Sequence, residues 1–129
     1  MLYLDSSAIV KLVVPERETD ALVAQIDDQP EVVTSALAWA EVVRAVVRTG
    51  RSASDAERVI ERIPMVPIDD AILRSAAELP PVTLRALDSI HLATALTLKD
   101  DLEAIVTYDA RLADVAAGLR MPVLHPGVR

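Results

Sequence analysis

The sequence predicts an α/β fold in which helices cover both faces of a short parallel sheet. This class is supported by short apolar runs that alternate with helical patterns along the whole chain. The core must be aliphatic, because aromatic residues are only 2% of the chain and Phe is absent. Such alternation is typical of parallel sheets with helices on both faces. The length of 129 residues suits one domain, 1–129, whose hydrophobic core needs no disulfide bond or structural metal to be stable.

In the first half of the chain, an apolar run ends at Asp5, and the helical pattern after it stops at Pro15. Gly50 provides a later helix stop, and Ser54 with Glu57 has capping-box spacing. The predicted elements are a strand at 2–4, helices at 6–13 and 17–26, a loop at 27–30, a strand at 31–34, a helix capped by Thr34 or Ser35 that runs to about 49–50, and a helix opened by Ser54 that ends before Pro64.

The second half continues the alternation. The run at 65–68 contains a proline, which cannot donate to a ladder, so a weak edge strand is predicted there. Further predicted elements are a helix at 70–79 capped by Asp69, a helix at 85–98, a buried strand at 104–107, a helix from Asp109 to near Gly118 and an edge strand at 121–124. Ligands of such folds bind at the carboxyl ends of the strands, which selects Asp5 and Asp109.

Composition and charge exclude several classes of function. The chain has no cysteine, so disulfides, thiolate metal sites and cysteine nucleophiles are ruled out. A net charge of −7 argues against passive nucleic-acid binding, and three aromatic residues cannot form a base-stacking platform. A charge appears as early as Asp5 and no apolar stretch is long enough to span a bilayer, so a cytoplasmic protein is expected.

Four carboxylates stand in apolar surroundings: Asp5, Glu41, Asp88 and Asp109. An unpaired buried charge is costly, and a shared divalent cation would explain several converging acids. Mg²⁺ and Mn²⁺ prefer carboxylate and water oxygens. Such a site can activate water and stabilise charge on a phosphodiester, with no histidine or cysteine nucleophile.

Each acid also has a structural interpretation, which stays open at this stage. Asp5 and Asp109 follow strands and are suited to capping helices. Glu41 has the spacing to pair with Arg44, and Asp88 with Arg85, on the surface of a helix. The functional hypothesis depends on the joint placement of all four at one end of the sheet.

Four segments, in order and over nearly the whole chain, resemble the PIN domains found in VapC-type toxins. The run from Leu87 to Ala95 is the most specific match. The segments are Leu4-Asp5-Ser6-Ser7-Ala8 with Lys11, then Ala40-Glu41, then Leu87-Asp88-Ser89-Ile90-His91-Leu92-Ala93-Thr94-Ala95, and finally Thr107-Tyr108-Asp109 with Arg111-Leu112.

The resemblance implies a three-layer α/β/α fold and Mg²⁺- or Mn²⁺-dependent cleavage of single-stranded or looped RNA. Asp5, Glu41, Asp88 and Asp109 would surround the metal, and Ser6 and Thr107 would position acids or water, although both also suit ordinary caps. Products with a 5′-phosphate and a 3′-hydroxyl are expected. The resemblance also implies a homodimer and a cognate antitoxin that blocks the acidic pocket.

Other residues are given structural interpretations. His91 lies three residues after Asp88 and shares its helix face, which allows a metal ligand, but a satisfied structural histidine is the expected interpretation. The cluster of Arg44, Arg48 and Arg51 has the charge to contact RNA phosphates, whereas a solvated helix face is the simpler interpretation.

Three rival functions are weighed against the ribonuclease hypothesis. A phosphoacceptor receiver domain needs an acidic pair after the first strand and a lysine after the last, whereas Asp5 stands alone and no lysine follows Val106. A phosphatase with an aspartyl nucleophile needs a second Asp where Ser7 stands. A catalytically inactive PIN-like binding module remains open, although four intact acids argue against it.

Overall fold

A computed structural model describes residues 1–29 and 31–128. Its strands and helices alternate as predicted. They are, in chain order, β1 Leu2–Leu4, α1 Ser6–Val13, α2 Thr19–Asp28, β2 Val32–Ser35, α3 Leu37–Arg48, α4 Ala53–Ile60, β3 Met65–Val66, α5 Asp70–Glu78, α6 Ala86–Thr97, a 3₁₀ turn at Lys99–Asp101, β4 Ala104–Val106, α7 Ala110–Gly118 and β5 Val123–Leu124.

The five strands form one parallel sheet in the order β3-β2-β1-β4-β5. The two segments predicted as edge strands, β3 and β5, do lie at the edges. The central strand β1 pairs with β2 on one side and with β4 on the other. The parallel α/β class predicted from the alternation is therefore confirmed.

Helices pack on both faces of this sheet, so the chain has three layers. Because side chains alternate along a strand, Leu2 and Leu4 of β1 face one way and Tyr3 faces the other. The first face packs against α1, α2, α3 and α4. The second packs against α6 and α7, and α5 in turn packs on α6.

The prediction for the start of α2 was wrong, because the helix begins at Thr19 and not at residue 17. The Thr19 hydroxyl donates to the Lys11 carbonyl and accepts from the Glu16 N–H, which holds the preceding residues in a turn. The helix also extends to Asp28, into the segment predicted as a loop. Pro30, the last residue of that predicted loop, lies outside the described residues.

The predicted starts of α3 and α4 were also wrong. The N–H of Ala36 bonds to the Val66 carbonyl, so strand pairing delays α3 until Leu37, whose N–H donates to Ser35 Oγ. Ser52 is the N-cap residue of α4, so Ser54 lies inside that helix. Asp69 caps α5 as predicted and accepts from the Ile72 N–H at 2.8 Å.

Among the described helices, none has both the length and the apolar character required to span a bilayer. The feature that positions a site is the divergence of the chain after the neighbouring strands β1 and β4. After β1 the chain enters α1 on one face, and after β4 it enters α7 on the other. Such a switch point opens a crevice at the carboxyl ends of the two strands.

Candidate active site

A cavity of about 300 Å³ opens at the carboxyl end of β1, where the chain diverges. It contains all four of the acids selected from the sequence, which come from four different parts of the chain. Its lining residues are Asp5, Ser6, Ser7, Glu41, Arg85, Ala86, Leu87, Asp88, His91 and Asp109.

Asp5 forms the inner wall of the cavity and is only 3% exposed. It is the N-cap of α1, where Oδ1 accepts from the Ala8 N–H at 3.0 Å and from Ser7 Oγ at 2.6 Å. Oδ2 accepts from Thr107 Oγ1. Burial raises the pKa of Asp5, although the hydroxyl and N–H donors oppose this. Asp5 is therefore both a helix cap and a desolvated carboxylate.

Glu41 comes from α3 and faces the same cavity. Its Oε1 accepts from Ser6 Oγ at 2.6 Å and lies 2.6 Å from Nε2 of His91. Burial acts to raise the pKa of Glu41, but the hydrogen bonds from His91 and Ser6 outweigh it and hold that pKa below its ordinary value. The structural alternative in which Glu41 pairs with Arg44 is not observed among the ion pairs of the described residues.

His91 links this acid to the central strand. Its Nδ1 lies 2.7 Å from the hydroxyl of Tyr3, whose pKa is raised by burial well above the ordinary value, so the hydroxyl keeps its proton. In the neutral tautomer that accepts from Tyr3 at Nδ1, Nε2 carries the proton and donates to Glu41. The prediction of a satisfied histidine is therefore met, but the residue also lines the cavity.

Asp88 and Asp109 form the outer wall and share one cation. Arg85 Nε lies 3.3 Å from Asp88 Oδ2, and its Nη2 lies 3.6 Å from Asp109 Oδ2. Asp109 also caps α7 by accepting from the N–H groups of Arg111 and Leu112. The arginine side chain is 65% exposed, so water screens both ion pairs.

Three hydroxyl groups tie the walls of the cavity together. Thr107 Oγ1 donates to Asp5 and accepts from the Asp109 N–H at 3.1 Å, so it joins the inner and outer acids. Ser7 Oγ donates to Asp5 and accepts from the Tyr108 N–H at 2.9 Å. Ser6 holds Glu41 and not Asp5. Ser6 and Thr107 were selected from the sequence, and Ser7 was not, although its position two residues after Asp5 in a helix-opening turn was a signal for it.

The lysine of the first motif has a different environment. Lys11 Nζ pairs with Glu16 and Glu18 and lies 4.7 Å from the centre of the Tyr108 ring. It is not among the residues that line the acidic cavity. Its place in the structure is to join α1 to the turn that precedes α2.

The residues fit a hard divalent cation in their chemistry, because carboxylate oxygens are the ligands that such cations prefer. Four carboxylates line one cavity, and Asp5 is buried with no arginine or lysine paired to it in residues 1–29 and 31–128. Within the same residues, no three acidic or histidine side chains yet converge on one cation position. The four acids nevertheless surround one space, and Arg85 pairs with the two outer ones.

The chain is similar to proteins of a known family. The sequence matches the PIN domain family over residues 2–118. It is 47% identical to "Ribonuclease VapC46" of Mycobacterium tuberculosis over 126 residues, with 97% of each chain covered. It is 42% identical to "Ribonuclease VapC35" of the same species, with 98% of each chain covered.

A solved structure has the same fold. The "Toxin-antitoxin complex from Klebsiella pneumoniae" contains a chain that superimposes with a TM-score of 0.73. The superposition covers 98% of each chain at 19% sequence identity. At that identity the likeness concerns the fold, which supports the three-layer architecture described above.

Proposed function

Since this chain belongs to the PIN-domain family and, within it, to the VapC ribonuclease type, we propose that it is a metal-dependent endoribonuclease that hydrolyses RNA phosphodiester bonds at the acidic cavity. One observation carries the proposal: Asp5, Glu41, Asp88 and Asp109 line a single cavity although they are distant in sequence. We propose that the chain acts as one PIN domain.

The carboxylates of these four residues would hold Mg²⁺ or Mn²⁺, which prefer oxygen ligands. When bound, the cation supplies Lewis acidity that favours ionisation of water and offsets charge on phosphate. The residues of the chain supply the positions. The Thr107 and Ser7 hydroxyls fix Asp5, and Ser6 with His91 fixes Glu41. Such outer hydrogen bonds orient the ligands of a cation and tune their basicity.

We propose that the outer wall contributes in a second way. Arg85 neutralises Asp88 and Asp109 while no divalent cation is bound, and its side chain is exposed at the rim of the cavity. Once released, a guanidinium group at this rim has the geometry to bind a phosphate oxygen pair. The electrostatic stabilisation of a phosphodiester under attack would then come from fixed charges of the site.

The partners are part of the same proposal. The solved relative from Klebsiella pneumoniae is a toxin–antitoxin complex, and VapC is the name of the curated relatives. We propose that this chain is the toxin of such a pair, that a cognate antitoxin neutralises it by covering the acidic cavity, and that it acts in the cytoplasm as a homodimer.

The test is cleavage of an end-labelled RNA hairpin with single-stranded flanks by the purified chain. We expect cutting with Mg²⁺ or Mn²⁺, none with chelator, and products that carry a 5′-phosphate and a 3′-hydroxyl. Asp5→Asn and Asp88→Asn should each abolish it while the thermal unfolding transition is retained.

The matched control is Asp100→Asn. Asp100 lies in the 3₁₀ turn before β4, so it is at the opposite end of the sheet, and it is exposed. The Asp100→Asn variant should cleave RNA like the unmodified chain. Cleavage that survives in both Asp5→Asn and Asp88→Asn, or that persists in chelator, would contradict the proposal. Phosphate transferred onto Asp5 would favour a signalling or phosphatase function.

A further inference from the structure

A second cavity of about 540 Å³ lies between α1 and α3 and adjoins the acidic one. Ser6, Ser7, Glu41 and Leu87 line both cavities. The two therefore form a continuous channel, which we call the α1–α3 groove where it leaves the acids. Anything that enters the acidic cavity from this side must cross the groove.

The exposed side of α3 runs along this groove. Counting from Glu41, Arg44 is three residues on, Ala45 four and Arg48 seven, which is the spacing of one helix face. All four line the groove. The adjacent face of α3, about a third of a turn away, carries Ala38, Val42 and Val46 and is buried in the core. Core packing of the helix therefore directs both arginines into the groove.

The groove is basic although the chain is acidic overall. Arg44 and Arg48 are exposed, and neither forms an ion pair with the residues that the structure describes. The single acid of the groove lining is Glu41, where the groove meets the acidic cavity. Of the packed neighbours, α1 carries Lys11, which is held by glutamates outside the groove.

The cavity on the other side of the acids differs in charge. It shares Arg85 and Asp88 with the acidic cavity, and it also contains Arg111 and Asp114. Its two cations are thus balanced by two carboxylates. The lining on the side of α3 instead carries two arginines, Arg44 and Arg48, against the one carboxylate of Glu41, so a polyanion meets an excess of positive charge on that side.

We propose that Arg44 and Arg48 bind successive phosphates of an unpaired RNA strand and thereby place the next phosphodiester over the acidic cavity. The inference rests on the function proposed above and names how its substrate is held. The arginines are about 6 Å apart along the helix axis, one turn, which suits neighbouring phosphates of an extended strand. Each guanidinium can form two parallel hydrogen bonds with a phosphate.

The rest of the groove favours single strands over duplexes. Its wall is apolar, with Val10, Leu37 and Leu87, and gives unstacked bases a surface away from water. Proteins that select RNA do so mostly at unpaired segments, whose bases can be splayed out. The groove offers no aromatic platform, so phosphate contacts must supply most of the affinity.

The test is the salt dependence of binding, measured by fluorescence anisotropy with a labelled single-stranded RNA. The full chain with Asp5→Asn serves as background, so that the probe is not cut. Adding Arg44→Ala and Arg48→Ala should reduce the slope of log affinity against log salt by about 1.4, because each single-strand phosphate contact contributes about 0.7. Arg44→Lys with Arg48→Lys should restore the slope, since both charges return.

The control is Arg62→Ala with Arg74→Ala, which removes the same charge from two exposed positions that do not line the groove. Its slope should stay unchanged. In the chain with Asp5 intact, Arg44→Ala with Arg48→Ala should raise KM for cleavage and leave kcat within about twofold. This is the result expected when a contact that holds substrate and transition state equally is lost.

Equal slopes for the groove pair and the control pair would overturn the inference. So would unchanged affinity of the labelled RNA for the Arg44→Ala, Arg48→Ala chain at low salt, because the two guanidinium groups would then contact no phosphate. Specific loss of RNA binding in a chain that cuts no RNA would uphold this inference and contradict the proposed function instead.

Discussion

The inner and outer walls of the acidic cavity hold their carboxylates in different ways. On the inner wall, neutral donors surround Asp5: two hydroxyls and one backbone N–H. On the outer wall, the charged side chain of Arg85 joins Asp88 to Asp109. Asp5 is buried, whereas the two outer acids are partly exposed.

The difference indicates which wall needs a divalent cation. Hydroxyl donors orient Asp5 but do not cancel its charge, and burial raises its pKa. The outer acids already have a counter-ion, and this counter-ion is weakly held because it is exposed. Under the proposed function, the inner acid is therefore the fixed part of the site, and we expect the outer pair to exchange Arg85 for a divalent cation.

The largest expected effect separates the walls directly. Asp5→Asn should weaken Mn²⁺ binding at least about a hundredfold, and Asp109→Asn about tenfold, since the outer acid is the more replaceable ligand. Calorimetric titration of Mn²⁺ into the chelator-washed chain measures both. Asp114→Asn, an exposed acid one turn along α7 that does not line the acidic cavity, is the control. A larger loss for Asp109→Asn than for Asp5→Asn would reverse the comparison.

The next effect tests the hydroxyl that joins the walls. Thr107→Val keeps the shape of the side chain but removes the donor to Asp5 and the acceptor for the Asp109 N–H. We expect Mn²⁺ affinity and RNA cleavage to fall by about 10- to 100-fold, the usual range for groups that orient metal ligands. Thr97→Val removes a similar bond at the far end of α6 and should change neither quantity. Wild-type affinity in Thr107→Val would show that the inner wall needs no such support.

A smaller effect in the opposite direction is expected at the outer wall. Arg85→Gln removes the cation that competes for Asp88 and Asp109, so Mn²⁺ should bind more tightly. Exposed ion pairs contribute about 0.2–1 kcal/mol, which sets the gain at up to about fivefold. Arg111→Gln removes the same charge nearby without breaking an ion pair of the described residues. If Mn²⁺ affinity rises equally in Arg85→Gln and Arg111→Gln, the loss of one positive charge explains the rise, and the ion pairs of Arg85 do not.

The sequence was sufficient to predict the elements that carry one acid of each wall. Asp5 and Asp109 follow short apolar strands, and the rule that ligands bind at strand carboxyl ends selects them without any relative. The fold class followed from the same alternation. Helix starts were less predictable. The start of α3 depends on the bond from Ala36 to Val66, 30 residues away, and the start of α2 depends on side-chain bonds of Thr19 to the preceding turn that helical periodicity does not reveal.

Other features of the cavity depend on tertiary packing. The local pattern of α3 allows Glu41 to be solvated, and only the burial of Val42 and Val46 turns it towards Ser6 and His91. His91 shares a helix face with Asp88, but its bond to Tyr3 spans 88 residues. The link from Arg85 to Asp109 likewise joins two helices that a local pattern cannot orient.

The smallest expected effect is on stability against pH without divalent cations. The pKa of Asp5 is raised above 3.8 in the folded chain, so between 3.8 and the raised value the folded state keeps a proton that the unfolded state releases. Stability from this group is therefore complete below 3.8 and is lost as the pH rises through the folded pKa. Asp5→Asn carries no such charge, and its amide can accept from Ser7 and donate to Thr107.

Thermal unfolding in chelator should accordingly show a melting temperature of Asp5→Asn close to that of the unmodified chain at about pH 4 and several degrees higher at about pH 8. Adding Mg²⁺ at the higher pH should stabilise the unmodified chain and leave the variant unchanged, because binding to the folded state alone raises stability. A constant difference across the pH range would mean that the inner carboxylate is already compensated within the chain, and the walls would then differ in position but not in their need for a cation.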